Sequence, residues 1–188
     1  MKFLDDIKTR LGKSALKSSL SKERKTRVHN FDDARSIGLI YKEKGESFFI
    51  LVKQYVKFLA EEYGIREILA MAYIDDKKQV PHWHIHRLKY EYFTKGDLNW
   101  KNIPDSTEVK NFTEKEFDIL IDLDKEFCLP LRYVLAKSKA NFKVGYYSEE
   151  NENYYDMMIE VGKAATFDEY VGQVNHYLKL INTKHARA

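Results

Sequence analysis

The stretch FDILIDL, Phe117–Leu123, constrains the fold more than any other part of the chain. It is a near-continuous apolar run, with Asp118 and Asp122 near its ends. A run of that length suits a strand buried on both faces, with helices layered over it. Two further runs repeat the pattern: RSIGLIY (Arg35–Tyr41) and REILAMAYI (Arg66–Ile74). Between them Phe48, Leu51, Val52, Tyr55, Val56 and Leu59 recur at helical spacing. Ser47 is the expected N-cap of that helix and Gly64 its stop. Strand, helix, strand in that order predicts a parallel βαβ unit.

The pattern resumes after Phe117. The segment CLPLRYVLAKSKA predicts a helix with Pro130 in its first turn, where a missing N–H costs nothing. FKVGYY is the next strand, SEENEN an acidic turn, and YYDMMIEV another strand. Six residues are too few for a crossover, so this last strand is expected to pair antiparallel. A helix over 167–181 closes the chain, with Tyr170, Val171, Val174, Tyr177, Leu178 and Ile181 facing inward. Residues 75–111 break the rhythm and predict a surface excursion with some extended structure. The fold class that follows is α/β: a three-layer, mostly parallel open sheet of Rossmann-like kind. One domain over 30–188 suits a chain of 188 residues.

Residues 1–29 stand apart as a basic arm. Phe3, Leu4, Ile7, Leu11 and Ala15 fall on one helical stripe within 3–20. Residues 1–30 hold nine Lys/Arg against three Asp/Glu, so a net charge of +3 for the chain leaves a slightly acidic body. Lys8, Arg10, Lys13, Lys17, Lys22, Arg24, Lys25 and Arg27 are the candidates for contact with a polyanion such as RNA or the ribosome. Docking on a membrane surface, packing on the body and contact with a protein partner are the other readings of the same stripe.

One cysteine, Cys128, rules out an intrachain disulfide and a thiolate zinc cluster. It precedes a helix start between Phe127 and Leu129, which suits a buried, inert thiol better than a reactive one. The chain has neither an apolar run long enough to cross a membrane nor a signal peptide at its start, so a cytoplasmic setting is expected.

Three sets of residues carry potential chemistry. In PHWHIH, His82, His84 and His86 alternate, as they would on one face of a strand, where an H-x-H pair can reach a zinc or nickel ion. The competing reading is a surface ribbon with Trp83 and Ile85 packed down. Asp75, Asp76, Asp122 and Asp124 follow or end strands, where open α/β sheets bind ligands. Polar turns and helix caps explain the same aspartates structurally. Lys42, Lys44 and Ser47 surround the first βα turn, YKEKGES, where an anion can sit at a helix N-terminus. The glycine-rich phosphate fingerprints and the nucleophile-elbow pattern are both missing. Strand-end carboxylates with water suit Mg²⁺ or acid–base work, and the sequence does not identify a cofactor.

Five strings together resemble a family of small α/β proteins of unknown function common in Bacteroidota: NFDDARSIGLIY, DLNW, FDILIDLD, LAKSKANFKVGYY and YYDMMIEV. The resemblance runs over nearly the whole chain and implies no catalytic residue. A more distant likeness, over FDILIDLD to KANFKVGYY, is to nucleotide-sugar glycosyltransferases of the heptosyltransferase kind. Those enzymes need two Rossmann domains and this chain supplies one, so the likeness bears on fold more than chemistry. Two functions follow as expectations: a non-enzymatic accessory module working through the arm, or a nucleotide or nucleotide-sugar binder using the strand-end aspartates.

Overall fold

The computed structural model describes Leu16 and residues 24–77, 79–84 and 88–182. The predicted arm helix over 3–20, the candidates Lys8, Arg10, Lys13, Lys17 and Lys22, and His86 lie outside the described residues.

Six strands form one sheet in the order β3-β2-β1-β4-β5-β6: β1 Ser36–Lys42, β2 Glu67–Ile74, β3 Tyr90–Thr94, β4 Ile119–Asp122, β5 Phe142–Tyr146 and β6 Met157–Ile159. Every pairing is parallel. This is the strand order of doubly wound sheets. Four helices cover it: α1 Glu46–Glu62, α2 Thr107–Glu114, α3 Leu129–Lys137 and α4 Phe167–Leu180.

Side-chain alternation along the strands sorts the core into two layers. Ile37, Leu39 and Tyr41 of β1 point to the face that holds α1 and α4, where they meet Phe49, Val52, Leu59, Tyr170 and Val174. Ile40 and Leu120 point the other way, toward Val109 and Phe112 of α2 and Leu131, Val134 and Leu135 of α3. The central strands are buried on both faces, which is why their sequences are near-continuous apolar runs. No helix among the described residues is long and apolar enough to cross a membrane.

Four expectations need correcting. The excursion holds the extended structure expected of it, the edge strand Tyr90–Thr94, but it also leads into a helix, Thr107–Glu114, that the sequence pattern does not predict. The last strand is parallel, not antiparallel. It starts at Met157 rather than Tyr154, so the connection from Tyr146 is longer than the sequence suggests, and Tyr155 within it turns into the core. Ser47 is not the N-cap of α1. Gly45 holds that position with φ 107°, a left-handed conformation that glycine adopts without penalty. Tyr177, expected to face inward from α4, is 45% exposed.

The described part of the histidine run is not extended. Residues 82–84 form a 3₁₀ turn instead of a strand. His82 is exposed, while His84 is buried and pairs through Nε2 with Glu43. The two therefore do not share a strand face, and no cluster of three or more His, Cys, Asp or Glu suited to a metal occurs among the described residues.

The start of the described chain is tied to the body. Arg24 makes a two-pronged contact with Asp156, at 2.6 and 2.7 Å, and the Arg27 backbone N–H donates to Asn141 O. Lys25 is exposed. Leu16 is buried against Leu129 and Ala136 of α3.

Candidate functional site

Strand order reverses between β1 and β4. From β1 the chain crosses by way of α1 to β2, and it returns by way of α2 on the opposite face to reach β4. In such sheets a crevice opens beyond the carboxyl ends of the central strands. Here that crevice is a cavity of 310 Å³, walled by Lys42, Lys44, Tyr73, Asp75, Lys95 and Asp124, and by Leu98, Asn102 and the segment Glu126–Pro130.

Charges alternate along the strand ends that floor the cavity. Lys95, just past β3, lies 3.0 Å from Asp75 Oδ1. Asp75, just past β2, also accepts from Lys42 Nζ at 3.1 Å and from the Tyr73 hydroxyl at 3.2 Å. Lys42 ends β1, and its backbone N–H donates to Asp124, two residues past β4. Lys44 closes the row with an ion pair to Asp124 Oδ1 at 2.5 Å. Each strand end is thus tied to the next by a charge-assisted contact.

Burial separates the members of the row. Asp124 is 2% exposed, whereas the side chains of Lys42, Lys44 and Lys95 are 38–50% exposed. Burial and the neighbouring Asp122 push the Asp124 carboxyl above its ordinary range, against the pull of Lys44. Burial alone would raise Asp75 too, but the hydrogen bonds from Lys95 and Lys42 outweigh it and hold that carboxyl below its usual value. Burial works against the Lys42 charge as well, and Asp75 outweighs it, so Lys42 is raised. All three lysines line the cavity.

Cys128 lines the same wall at the N-cap of α3, with no side-chain capping bond. Burial pushes its thiol up to about 12, which makes it a poor nucleophile.

Asp122, although two residues from Asp124, belongs to a different structure. It is buried, and one oxygen accepts from Arg132 Nη1 and, at 2.7 Å, from the Tyr155 hydroxyl. Its other oxygen accepts the Asp124 backbone N–H at 2.9 Å, and its carbonyl accepts the Tyr170 hydroxyl at 2.9 Å. Gly145 makes room for Tyr155: a Cβ there would lie 2.2 Å from the tyrosine ring. This network fixes the Asp124 backbone from below.

Of the candidates named from sequence, Lys42, Lys44, Asp75 and Asp124 come together at the cavity. Asp122 lies beneath it, Ser47 is exposed in the first turn of α1, and the Asp76 carboxylate accepts the Gln79 backbone N–H at 2.9 Å outside it. Sequence reasoning missed Lys95, because YEYFT alternates weakly and lies inside the excursion. Had that stretch been taken as a strand, Lys95 would have stood at its carboxyl end.

Comparison with known proteins matches residues 8–181 to DUF6913, a family of unknown function. The chain belongs to that family. No curated protein and no solved structure matches it. The DUF6913 match takes in the whole row of strand-end charges and every other wall of the cavity.

Proposed function

We propose that this chain binds a small phosphate-bearing molecule in the cavity at the carboxyl edge of its sheet. The observation that carries the reading is the alternating row Lys95–Asp75–Lys42–Asp124–Lys44. Partly exposed ion pairs contribute only about 0–1 kcal/mol each, so stability alone gives little reason to assemble five charges there. Each lysine ammonium has three N–H donors, and each has one hydrogen-bonded or ion-paired carboxylate partner among the described residues. The three lysines line a cavity at the small end of the ligand-site range, roughly 300–1,000 Å³, with the Lys44 ammonium also 5.0 Å from the Phe48 ring centroid. At the start of α3 only Leu129 offers a backbone N–H on the same wall, because Pro130 has none and the Arg132 N–H donates to Cys128 O. Nucleotides and nucleotide sugars are the phosphate-bearing classes such a sheet edge suits.

A thermal-shift panel of nucleotides and nucleotide sugars, with and without Mg²⁺, tests this. At about 100-fold above Kd a ligand stabilises by about 2.7 kcal/mol, which raises Tm by roughly 5–10 °C in a domain of this size. The double variant Lys42→Met/Lys95→Met should abolish the shift. No shift with any phosphate-bearing compound overturns the proposal.

The charge of residues 1–29 favours a second reading, an accessory module that holds a polyanion or an acidic partner. Arg24 is already engaged with Asp156, so the test is removal of residues 1–23, which leaves that anchor in place. Unchanged binding to RNA or ribosomes at low and high salt sinks this reading.

A further inference from the structure

The phosphate reading leaves open what else the ligand carries, and two aromatic side chains at the cavity speak to that. Resting on that reading, the geometry points to a phosphate ester bearing a flat aromatic ring, as a nucleobase does, with Phe127 and Trp100 as the residues that recognise the ring.

Phe127 belongs to the cavity wall and is 39% exposed. The Arg132 guanidinium lies 5.8 Å from its ring centroid. Arg132 is itself 1% exposed and anchored on Asp122 and Tyr155. The ring is therefore supported from the protein side by a fixed cation and offers its exposed part to the cavity.

Trp100 is 63% exposed at the tip of a closed turn. Leu98 and Pro104 bridge the base of that turn in antiparallel fashion. The Asn99 backbone N–H donates to Ile103 O, and the Asn102 N–H to Asn99 O, both at 2.9 Å. Asn99 Oδ1 accepts from the Lys101 and Ile103 backbone N–H groups at 2.8 and 3.2 Å. Asn102 takes φ 59°, a left-handed conformation that asparagine tolerates better than most residues. Leu98 and Asn102, which bracket Trp100, both line the cavity. The turn thus holds a large, mostly exposed ring next to two cavity-lining residues, with the Lys101 ammonium 5.0 Å from its centroid as a mobile surface partner that a stacking base would displace, and Trp100 belongs to none of the hydrophobic core clusters.

Stacking on an exposed aromatic is indifferent to base identity and strong enough to change affinity by about 10-fold or more.

Isothermal titration of the full-length protein with pyrophosphate, ADP and UDP tests the inference. ADP and UDP should bind at least about 10-fold more tightly than pyrophosphate. Trp100→Ala should weaken the nucleoside diphosphates by about 10-fold and leave pyrophosphate unchanged; Phe127→Leu should shrink the ratio of nucleoside diphosphate to pyrophosphate affinity by about 10-fold, and Phe127→Tyr should restore that ratio. Equal affinity for pyrophosphate and the nucleotides, or nucleotide binding untouched by both variants, overturns the ring assignment and leaves the phosphate site standing. Absence of binding by all three compounds removes the phosphate reading, and the ring assignment with it.

Discussion

The two ends of β4 solve one problem in two ways. At its amino end Asp118 accepts the backbone N–H groups of Arg35 and Ser36, at 2.8 and 3.0 Å, and the Ser36 hydroxyl at 3.1 Å. At its carboxyl end Asp124 accepts the backbone N–H of Lys42. Each aspartate therefore pins one end of β1 to β4. The amino-end clamp is finished by backbone and hydroxyl donors and by its own N–H, which donates to Ser36 Oγ at 3.0 Å. The carboxyl-end clamp instead draws in Lys44, and through Lys42 it joins Asp75 and Lys95, around a cavity. A strand needs both clamps, but only the carboxyl-end clamp carries lysines that line a cavity; at the amino end the nearest cation candidate is the buried His29, whose Nε2 lies 3.7 Å from Asp118 Oδ1. Under the proposed function those cavity lysines, more than acidic character as such, distinguish the two edges.

The comparison predicts a graded set of effects. The largest belongs to Asp122, on which the carboxyl end rests. Asp122→Ala strands the buried Arg132 guanidinium and should cost about 3–5 kcal/mol in urea unfolding. Asp118→Ala removes the amino-end clamp and should cost about 2–3 kcal/mol by the same measurement, with ligand-induced thermal shifts retained.

Asp124 should show itself through pH. Its folded pKa is raised, by burial first and then by Asp122, so between the ordinary carboxylate value and that raised value the native state holds more protons than the unfolded state. Stability therefore falls as pH climbs through that interval and levels off above it. Asp124→Asn should flatten this component, on the order of 2 kcal/mol, in unfolding curves taken from pH 4 to pH 7. A slope that survives the substitution assigns it to other groups. The smallest stability effect belongs to the cavity lysines. Lys42→Met/Lys95→Met should change unfolding by about 1 kcal/mol or less, since both side chains are well exposed, yet it should remove ligand binding.

How much of this was legible in sequence depends on burial. β1, β2 and β4 lie in the middle of the sheet, and their apolar runs identify them directly. β3 is an edge strand of mostly half-buried residues, so YEYFT carries little period-2 signal. α2 spans only eight residues and gains its stability from Val109 and Phe112 packing on the sheet, which local pattern does not reveal. For the site, strand-end position brought Asp75 and Asp124 into view, and the first βα turn brought Lys42 and Lys44. The same rule could not separate Asp122 from Asp124, because their difference rests on Arg132 and Tyr155, ten and thirty-three residues away in sequence from Asp122. PHWHIH shows a related limit: alternation implies a shared face only if the backbone is extended, and residues 82–84 turn.

Backbone-amide NMR during titration with pyrophosphate tests the central claim most directly, because it observes both ends of β4 at once. The predicted result is a set of saturable shifts at Glu43–Gly45, Lys95–Gly96 and Lys125–Leu129, with Arg35, Ser36 and Asp118 unmoved. Shifts at the amino end, shifts confined to residues 1–29, or no shifts at all would contradict it.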